Sequence, residues 1–206
     1  MPSPQNVVDL LSELIAIPSV NPMGRDLDGP EFFETRIVER LMDFFAELQV
    51  PHEEIVVVPG RSSNVLARVD SPGTTQTILM DAHIDTVPVD GMTIDPFGGE
   101  VRDGRVWGRG ACDDKGPLAA MLWAFKRLAE ERPEGMPNVI MSCTCDEEAT
   151  TLGINDLVKS WSDGRSKIVT SKPDGAIIAE PTELDVVVAH RLSLIHISEP
   201  TRPLDI

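Results

Sequence analysis

The chain has 206 residues, of which 34 are acidic and 18 basic, giving a formal net charge of −16. Its length suits one sizeable core, and its 41% hydrophobic and 25% charged content matches a globular domain in water. So negative a chain excludes nucleic acid and anionic membrane surfaces as partners, because both repel it.

The elements follow in chain order. Ser3-Pro4 reads as an N-cap with a first-turn proline, and Val7, Leu10, Leu11, Leu14 and Ile15 recur at helical spacing until Pro18. Ser19–Gly29 reads as a polar loop, and Pro30–Leu48 as a second amphipathic helix with Phe33, Ile37, Leu41, Phe44 and Leu48 inward. Apolar runs predict strands at Ile55–Val58, Asn64–Val69 and Thr77–Asp81, and Asp103-Gly104 predicts a hairpin turn within Val101–Val106. A helix is expected from Gly116 to Glu131, a strand at Val139–Thr144 and a helix at Thr151–Trp161. A polar connection, Lys159–Gly175, leads to strands at Ala176–Ala179 and Val186–Ala189. Strands alternating with helices indicate a layered α/β domain.

No apolar run reaches the roughly 18 residues of a membrane span. No basic stretch followed by an apolar core marks a signal peptide, so the expected location is the cytoplasm. The three cysteines form no CxxC pair, and Cys143 and Cys145 are expected to be small buried hydrophobes on one face of a strand. His52, after Pro51 in a loop, reads as a surface residue.

Polar residues with chemical potential stand at strand ends, where α/β sheets place their sites. His83 and Asp85 follow the strand ending at Asp81 and lie two apart on extended chain, so they can share a side. A metal-binding imidazole needs a partner that fixes its tautomer, and a carboxylate is the usual one, although a lone His-x-Asp is more often a solvated pair. The turn Gly108–Gly116 could cradle phosphate at a helix start, but Asp113 and Asp114 repel phosphate and suit a cation better. Asp146-Glu147-Glu148 is either a solvated charge run or, at the end of a buried strand, a cluster that needs a cation. Glu180 ends another buried strand before Pro181. One imidazole among several carboxylates suits zinc, manganese or cobalt better than copper or an iron–sulfur cluster, and two metals would neutralise so acidic a site.

Four motifs, His-x-Asp-Thr-Val-Pro, Gly-Arg-Gly-Ala-x-Asp-x-Lys-Gly, Asp-Glu-Glu and Ala-Glu-Pro-Thr, occur in this order between Val7 and Arg191. In combination they resemble the co-catalytic zinc aminoacylase/carboxypeptidase family, and Asp95-Pro96-Phe97 fits its acetylornithine deacetylase/succinyl-diaminopimelate desuccinylase branch. The resemblance implies a three-layer αβα catalytic domain with a mixed sheet. It implies two zinc ions, with cobalt or manganese as alternatives: His83 and Glu180 on one metal, Asp113 bridging both, and Glu148 on the second. It further implies that Asp85 orients His83, that Glu147 is the general base, and that a cis peptide falls at Asp113-Asp114. The implied reaction is hydrolysis of the amide of an N-acyl amino acid or small peptide by a hydroxide shared between the metals. Alternatives of another class are a non-catalytic metal-binding protein and a phosphate-binding protein that uses Gly108–Gly116.

The likeness stops at Arg191. Family members continue there with glycine, a lid and dimerisation domain, and a late histidine ligand for the second metal, whereas this chain has Leu192. Leu192–Arg202 resembles the translation of a transposase adapter used in short-read library preparation. The expected organisation is therefore residues 1–191 as the N-terminal part of a catalytic domain and residues 192–206 as a non-native tail. The chain would lack the lid, bind at most one metal well and be nearly inactive, and the full-length protein would be a homodimer through the lid. Neither His190 nor His196 is expected to replace the late histidine.

Overall fold

In the computed structural model, which describes residues 4–182, the first helix, α1 (Val7–Ile15), starts from Asn6. The Asn6 side-chain oxygen accepts hydrogen bonds from the Val8 and Asp9 amides, both at 2.9 Å, and so satisfies two donors of the first turn. Asn6 therefore supplies the cap expected at Ser3, which lies outside the described residues. The expected strand Val186–Ala189, the histidines 190 and 196 and the segment Leu192–Ile206 also lie outside them.

The remaining elements are α2 (Thr35–Glu47), β1 (His52–Val58), β2 (Ser62–Val69), β3 (Thr77–His83), β4 (Glu100–Arg102), β5 (Arg105–Trp107), α3 (Lys115–Glu131), β6 (Asn138–Thr144), α4 (Leu152–Asp163) and β7 (Gly175–Ile178). Five strands form a mixed sheet in the order β1-β2-β6-β3-β7. The β1–β2 and β2–β6 pairs are antiparallel, while β3 runs parallel to both β6 and β7. Strands β4 and β5 form a separate hairpin around Asp103-Gly104. Among the described residues there is one layered unit and no second domain.

Period-2 alternation builds the layers. On one face Val65, Ala67, Val69, Met80, Ala82, Val139, Met141 and Cys143 pack with Leu10 and Leu14 of α1, Ile37, Leu41 and Phe45 of α2, and Leu118, Leu122 and Phe125 of α3. On the other face the intervening residues Leu66, Leu79 and Ile140 meet Leu157 of α4 together with Ile168 and Val169. Helices thus cover both faces, the αβα arrangement that the family resemblance implied. Strand β6 is buried along its whole length, as a central strand covered on both faces must be. Cys143 and Cys145 pack in the core as free thiols, and burial pushes both upward in pKa, which keeps them unreactive.

Four expectations needed correction. His52 is not a surface loop residue: it opens β1, half-buried, with its ring 6.5 Å from that of Phe45. Ser19–Asn21 is not a solvated loop: Ser19, Val20 and Asn21 are buried and lie along residues 84–86, with Asn21 N–H donating to Thr86 O and Thr86 N–H to Ser19 O. Helix α2 begins at Thr35 rather than Pro30, because Phe33 sits at φ 63° and the Glu34 carboxylate turns inward to tertiary partners. The connection after α4 is not wholly polar either. Ile168 and Val169 cover the second core, while Glu53 of β1 accepts the Ser166 hydroxyl and the Lys167 and Ile168 amides.

Phe125 is fully buried and meets the Phe45 ring edge-on at 5.6 Å between centroids, joining α3 to α2 over the sheet. Phe125→Ala should lower the unfolding free energy by about 3–5 kcal/mol. Urea unfolding with an unchanged slope would check this, and a loss under 1 kcal/mol would show that the cavity collapses.

Candidate metal centre

Parallel pairing decides where the polar residues meet. Since β3, β6 and β7 run the same way, their C-terminal ends lie at one edge of the sheet, with His83 opposite Thr144 and Asp81 opposite Ile178. His83 closes β3, Asp146-Glu147-Glu148 follows β6, Glu180 follows β7, and Asp113 stands in the turn that enters α3. Segments up to about a hundred residues apart thereby share one site.

His83, Asp113 and Glu180 each offer a ligand atom, and the three atoms lie within 4.8 Å of one another. His83 Nε2 is 3.0 Å from Asp113 Oδ1. On the other side of the ring, Nδ1 lies 3.0 Å from the Asp85 carbonyl oxygen and 3.5 Å from its carboxylate. A proton on Nδ1 donated to Asp85 leaves Nε2 facing Asp113 and Glu180. The imidazole's nearer partner is thus the Asp85 backbone, with the carboxylate in support.

The Asp113 turn is shaped from beneath. The Asp113-Asp114 peptide is cis, at the position the family resemblance implied. Asp113 is half-exposed, whereas Asp114 is buried and accepts the His83 backbone N–H at 3.2 Å. Lys115, also buried, donates from Nζ to the carbonyls of Leu14 at 3.0 Å and Ile17 at 2.6 Å and so caps the C-terminal end of α1, although burial lowers its pKa to about 7. Gly110 turns at φ 82°, and a Cβ there would come within 3.0 Å of the Lys115 and Thr86 side chains. A larger residue would push the loop off its lysine.

Behind this cluster the Asp85 carboxylate is fully buried and gathers three further donors. It accepts Asn21 Nδ2 at 2.9 Å, the Glu147 amide at 3.0 Å and the Glu148 amide at 3.1 Å. The loop after β6 is also tied at its neck, where Asn64 of β2 accepts the Cys145 amide at 3.0 Å and donates to Gly153 O at 2.8 Å. At Gly153 a Cβ would sit 2.2 Å from Cys145 O, so only glycine allows that closure. Asp146, buried between the two ties, accepts from Asn21, Arg61 and Thr150, and its own amide donates to Glu34.

The electrostatics report an excess of negative charge. Burial, then the charges of Asp113, Asp85 and Glu147, push the Glu148 carboxyl up to about 7. Burial and the nearby Glu180 and Asp113 push Asp114 up to about 8. Burial opposes a charged His83, yet hydrogen bonds to Asp113 and Asp85 and the charges of Asp85 and Asp114 outweigh it and raise the imidazole to about 12. Burial would also raise Asp85, but the contacts with His83, Asn21 and the Glu147 amide win and hold it below its ordinary value. Protons occupy positions that a divalent cation would otherwise neutralise. One imidazole nitrogen and two carboxylates in reach of a common point, backed by this charge deficit, fit zinc, cobalt or manganese.

Of the residues singled out from sequence, the structure brings His83, Asp113 and Glu180 into one cluster and sets Asp85 behind it. Glu147 and Glu148 sit half-buried on the adjoining loop, where Glu148 lies outside the triad but feels the Asp113 charge. Sequence reasoning missed Asn21, Glu34, Arg61, Asn64 and the supporting roles of Asp114 and Lys115. The available signal for Lys115 was a lysine inside an otherwise acidic turn, and for Asn21 an asparagine between the apolar Val20 and Pro22.

With this geometry in view, comparison with known proteins gives a consistent result. The model of peptidase family M20/M25/M40 matches residues 79–204. An acetylornithine deacetylase of Pectobacterium carotovorum is 33% identical over 189 residues, covering 89% of this chain and 45% of the relative. A succinyl-diaminopimelate desuccinylase of Cereibacter sphaeroides is 34% identical over 122 residues, covering 58% and 31%. This chain spans less than half the length of these curated relatives. Among solved structures, the M20 family metallo-carboxypeptidase Sso-CP2 of Sulfolobus solfataricus superposes with a TM-score of 0.66 at 24% identity, over 85% of this chain and 37% of that one. Human carnosine dipeptidase 1 gives 0.63 at 24% identity, over 84% and 37%. At such identities these two structures speak for the fold.

Glu34 makes the charge deficit measurable away from the ligands. Burial, followed by the charges of Asp85 and Asp146, raises its pKa from 4.5 to about 7 despite the Ser62 hydrogen bond. Between those values the folded chain holds a proton that the unfolded chain has lost. Glu34 therefore stabilises fully below pH 4.5, and the contribution is lost as pH rises through 7. Glu34→Gln should remove up to about 3 kcal/mol of the stability lost between pH 5 and 7.5. Parallel urea titrations of parent and variant test this, and equal pH dependence in both would show that Glu34 ionises normally.

Proposed function

The chain belongs to peptidase family M20/M25/M40, and from that premise we propose that it is part of a metal-dependent hydrolase that cleaves the amide bond of N-acyl amino acids. The observation that carries this reading is the convergence of His83, Asp113 and Glu180 within 4.8 Å, beside a loop bearing two glutamates whose amides are held by one buried aspartate. In this reading His83 and Glu180 would hold one metal, Asp113 would serve both sites, and Glu148 would serve a second. Zinc is the first choice and cobalt or manganese the alternatives. The described residues supply a full ligand cluster for one metal only.

A bound divalent metal supplies Lewis acidity, lowering the pKa of water and polarising a carbonyl. The chain's own residues do the rest. Asp85 keeps the His83 proton on Nδ1 and so presents Nε2 to the cluster. It also fixes the amides of Glu147 and Glu148, which sets the direction of both side chains. The Glu147 carboxylate takes a proton from the attacking water as the new C–O bond forms, and passes it to the departing amine nitrogen as the C–N bond breaks.

Substrates of this reading are small N-acyl amino acids carrying a free carboxylate. Acetyl-ornithine and succinyl-diaminopimelate head the candidates, because the two curated relatives are named for enzymes of that kind. Small dipeptides are the second choice, after the dipeptidase and carboxypeptidase folds. Substrate selection and homodimer formation would belong to a lid domain in the complete protein. We read residues 192–206 as adapter-derived even though the family model's match runs on to residue 204; a long sequencing read of the source gene through the Arg191 codon decides that point.

The test loads metal-free protein with zinc or cobalt and assays N-acetyl-ornithine, N-succinyl-diaminopimelate and dipeptides, using both this chain and the complete reading frame. This chain should bind one metal and turn over little, while the complete frame should be active. In the complete protein Glu147→Ala should lower kcat by about 10²–10⁴-fold with zinc content unchanged, whereas His83→Ala should lose metal. Loss of zinc from the Glu147 variant would sink its assignment as the base.

A further inference from the structure

We infer that Asn21 is a positioning residue of the metal centre: by donating one hydrogen to Asp85 and the other to Asp146, its amide sets the spacing between the histidine ligand and the loop of Glu147 and Glu148. The inference rests on the metal-hydrolase reading and adds a residue to it. Asn21 Nδ2 lies 2.9 Å from Asp85 Oδ2 and 2.9 Å from Asp146 Oδ1. All three residues are buried, Asn21 at 1% exposure and both aspartates at 0%. Two carboxylates so close in the interior repel each other unless donors lie between them. An –NH₂ group with two hydrogens spaced for two acceptors fills that place without adding charge.

The amide's third contact holds its orientation. Asn21 Oδ1 accepts the Met23 amide at 3.0 Å, so the nitrogen end faces the aspartates. Its backbone is anchored by Asn21 N–H to Thr86 O at 2.8 Å and by the pairing of Val20 with Thr86. Asn21 therefore moves with the end of β3, which carries His83 and Asp85, while Asp146 begins the loop that carries Glu147 and Glu148. Arg61 donates to the same Asp146 oxygen as Asn21, at 2.8 Å, and offsets its charge, while Asp85 lies against the His83 ring. The one group that reaches both carboxylates with side-chain donors, among the described residues with a hydrogen bond to either, is Asn21.

Asn21→Asp preserves size and shape but replaces the two donors with a third carboxylate. Asn21→Ser adds no charge and leaves one donor hydrogen, enough for one aspartate but not both. Cobalt(II) titration of the 206-residue chain, followed by its visible absorption bands, reads metal affinity and ligand geometry together. Asn21→Asp should weaken cobalt binding by about 10–100-fold and shift the bands, with Asn21→Ser between it and the parent. In the complete reading frame either variant should lower kcat more than it raises KM. Where Asn21→Asp does not fold, Asn21→Ser decides alone. Titration curves and bands that match the parent's, even with a lowered melting temperature, would reduce Asn21 to a structural role and overturn the inference. Failure of the parent itself to bind cobalt would instead overturn the metal reading, and the inference with it.

Discussion

The site depends on one buried carboxylate. Asp85 has no contact with solvent, yet it stays charged because every direction around it is filled by a donor: the His83 ring, the Asn21 amide and the backbone N–H groups of Glu147 and Glu148. A charge in that position is costly unless all its lone pairs are met, so the surrounding groups are held as firmly as the charge itself. Orientation of the histidine and placement of the two glutamates are thus consequences of a single solvation requirement.

That requirement can be met only because of how the sheet is ordered. Parallel pairing of β3 with β6 and β7 puts three strand ends side by side, and the antiparallel pairs lie to one flank. The carboxylate-bearing loop leaves the sheet between β6 and α4 and is closed at its neck by Asn64 and the bare backbone of Gly153. Close packing there leaves the loop little freedom, as the small clearance around Gly153 shows. The turn carrying Asp113 is similarly seated on Lys115, whose Nζ donates to the carbonyls at the end of α1. The first helix, far from any ligand in sequence, thereby helps hold one.

The acidity of the chain acquires a local meaning in this setting. Much of the −16 charge is solvated surface, but around His83 it is concentrated, and Glu148, Asp114 and Glu34 are all raised toward neutral pH. Carboxyls that hold protons there mark a site short of positive charge. The imidazole and carboxylates there suit a divalent cation as the counter-charge.

By itself the sequence determined the strands and helices whose apolar spacing is regular, the strand-end location of His83 and Glu180, the placing of Asp113 in a turn before a helix, and through four spaced motifs the family resemblance. Those features are local: period 2, period 3.6, or a short string whose chemistry is complete within a few residues. Tertiary structure alone decided the rest. Ser19–Asn21 looks like polar loop until its pairing with residues 84–86 buries it, and Pro30–Glu34 has helical spacing until Glu34 is drawn to Ser62 and the Asp146 amide. Asn21, Asn64 and Lys115 act on partners 64 to 125 positions away, such as Asp146 for Asn21 and Leu14 for Lys115. A hydrogen bond between side chains so far apart leaves no periodic trace in the chain, because its geometry exists only once the sheet has brought its ends together.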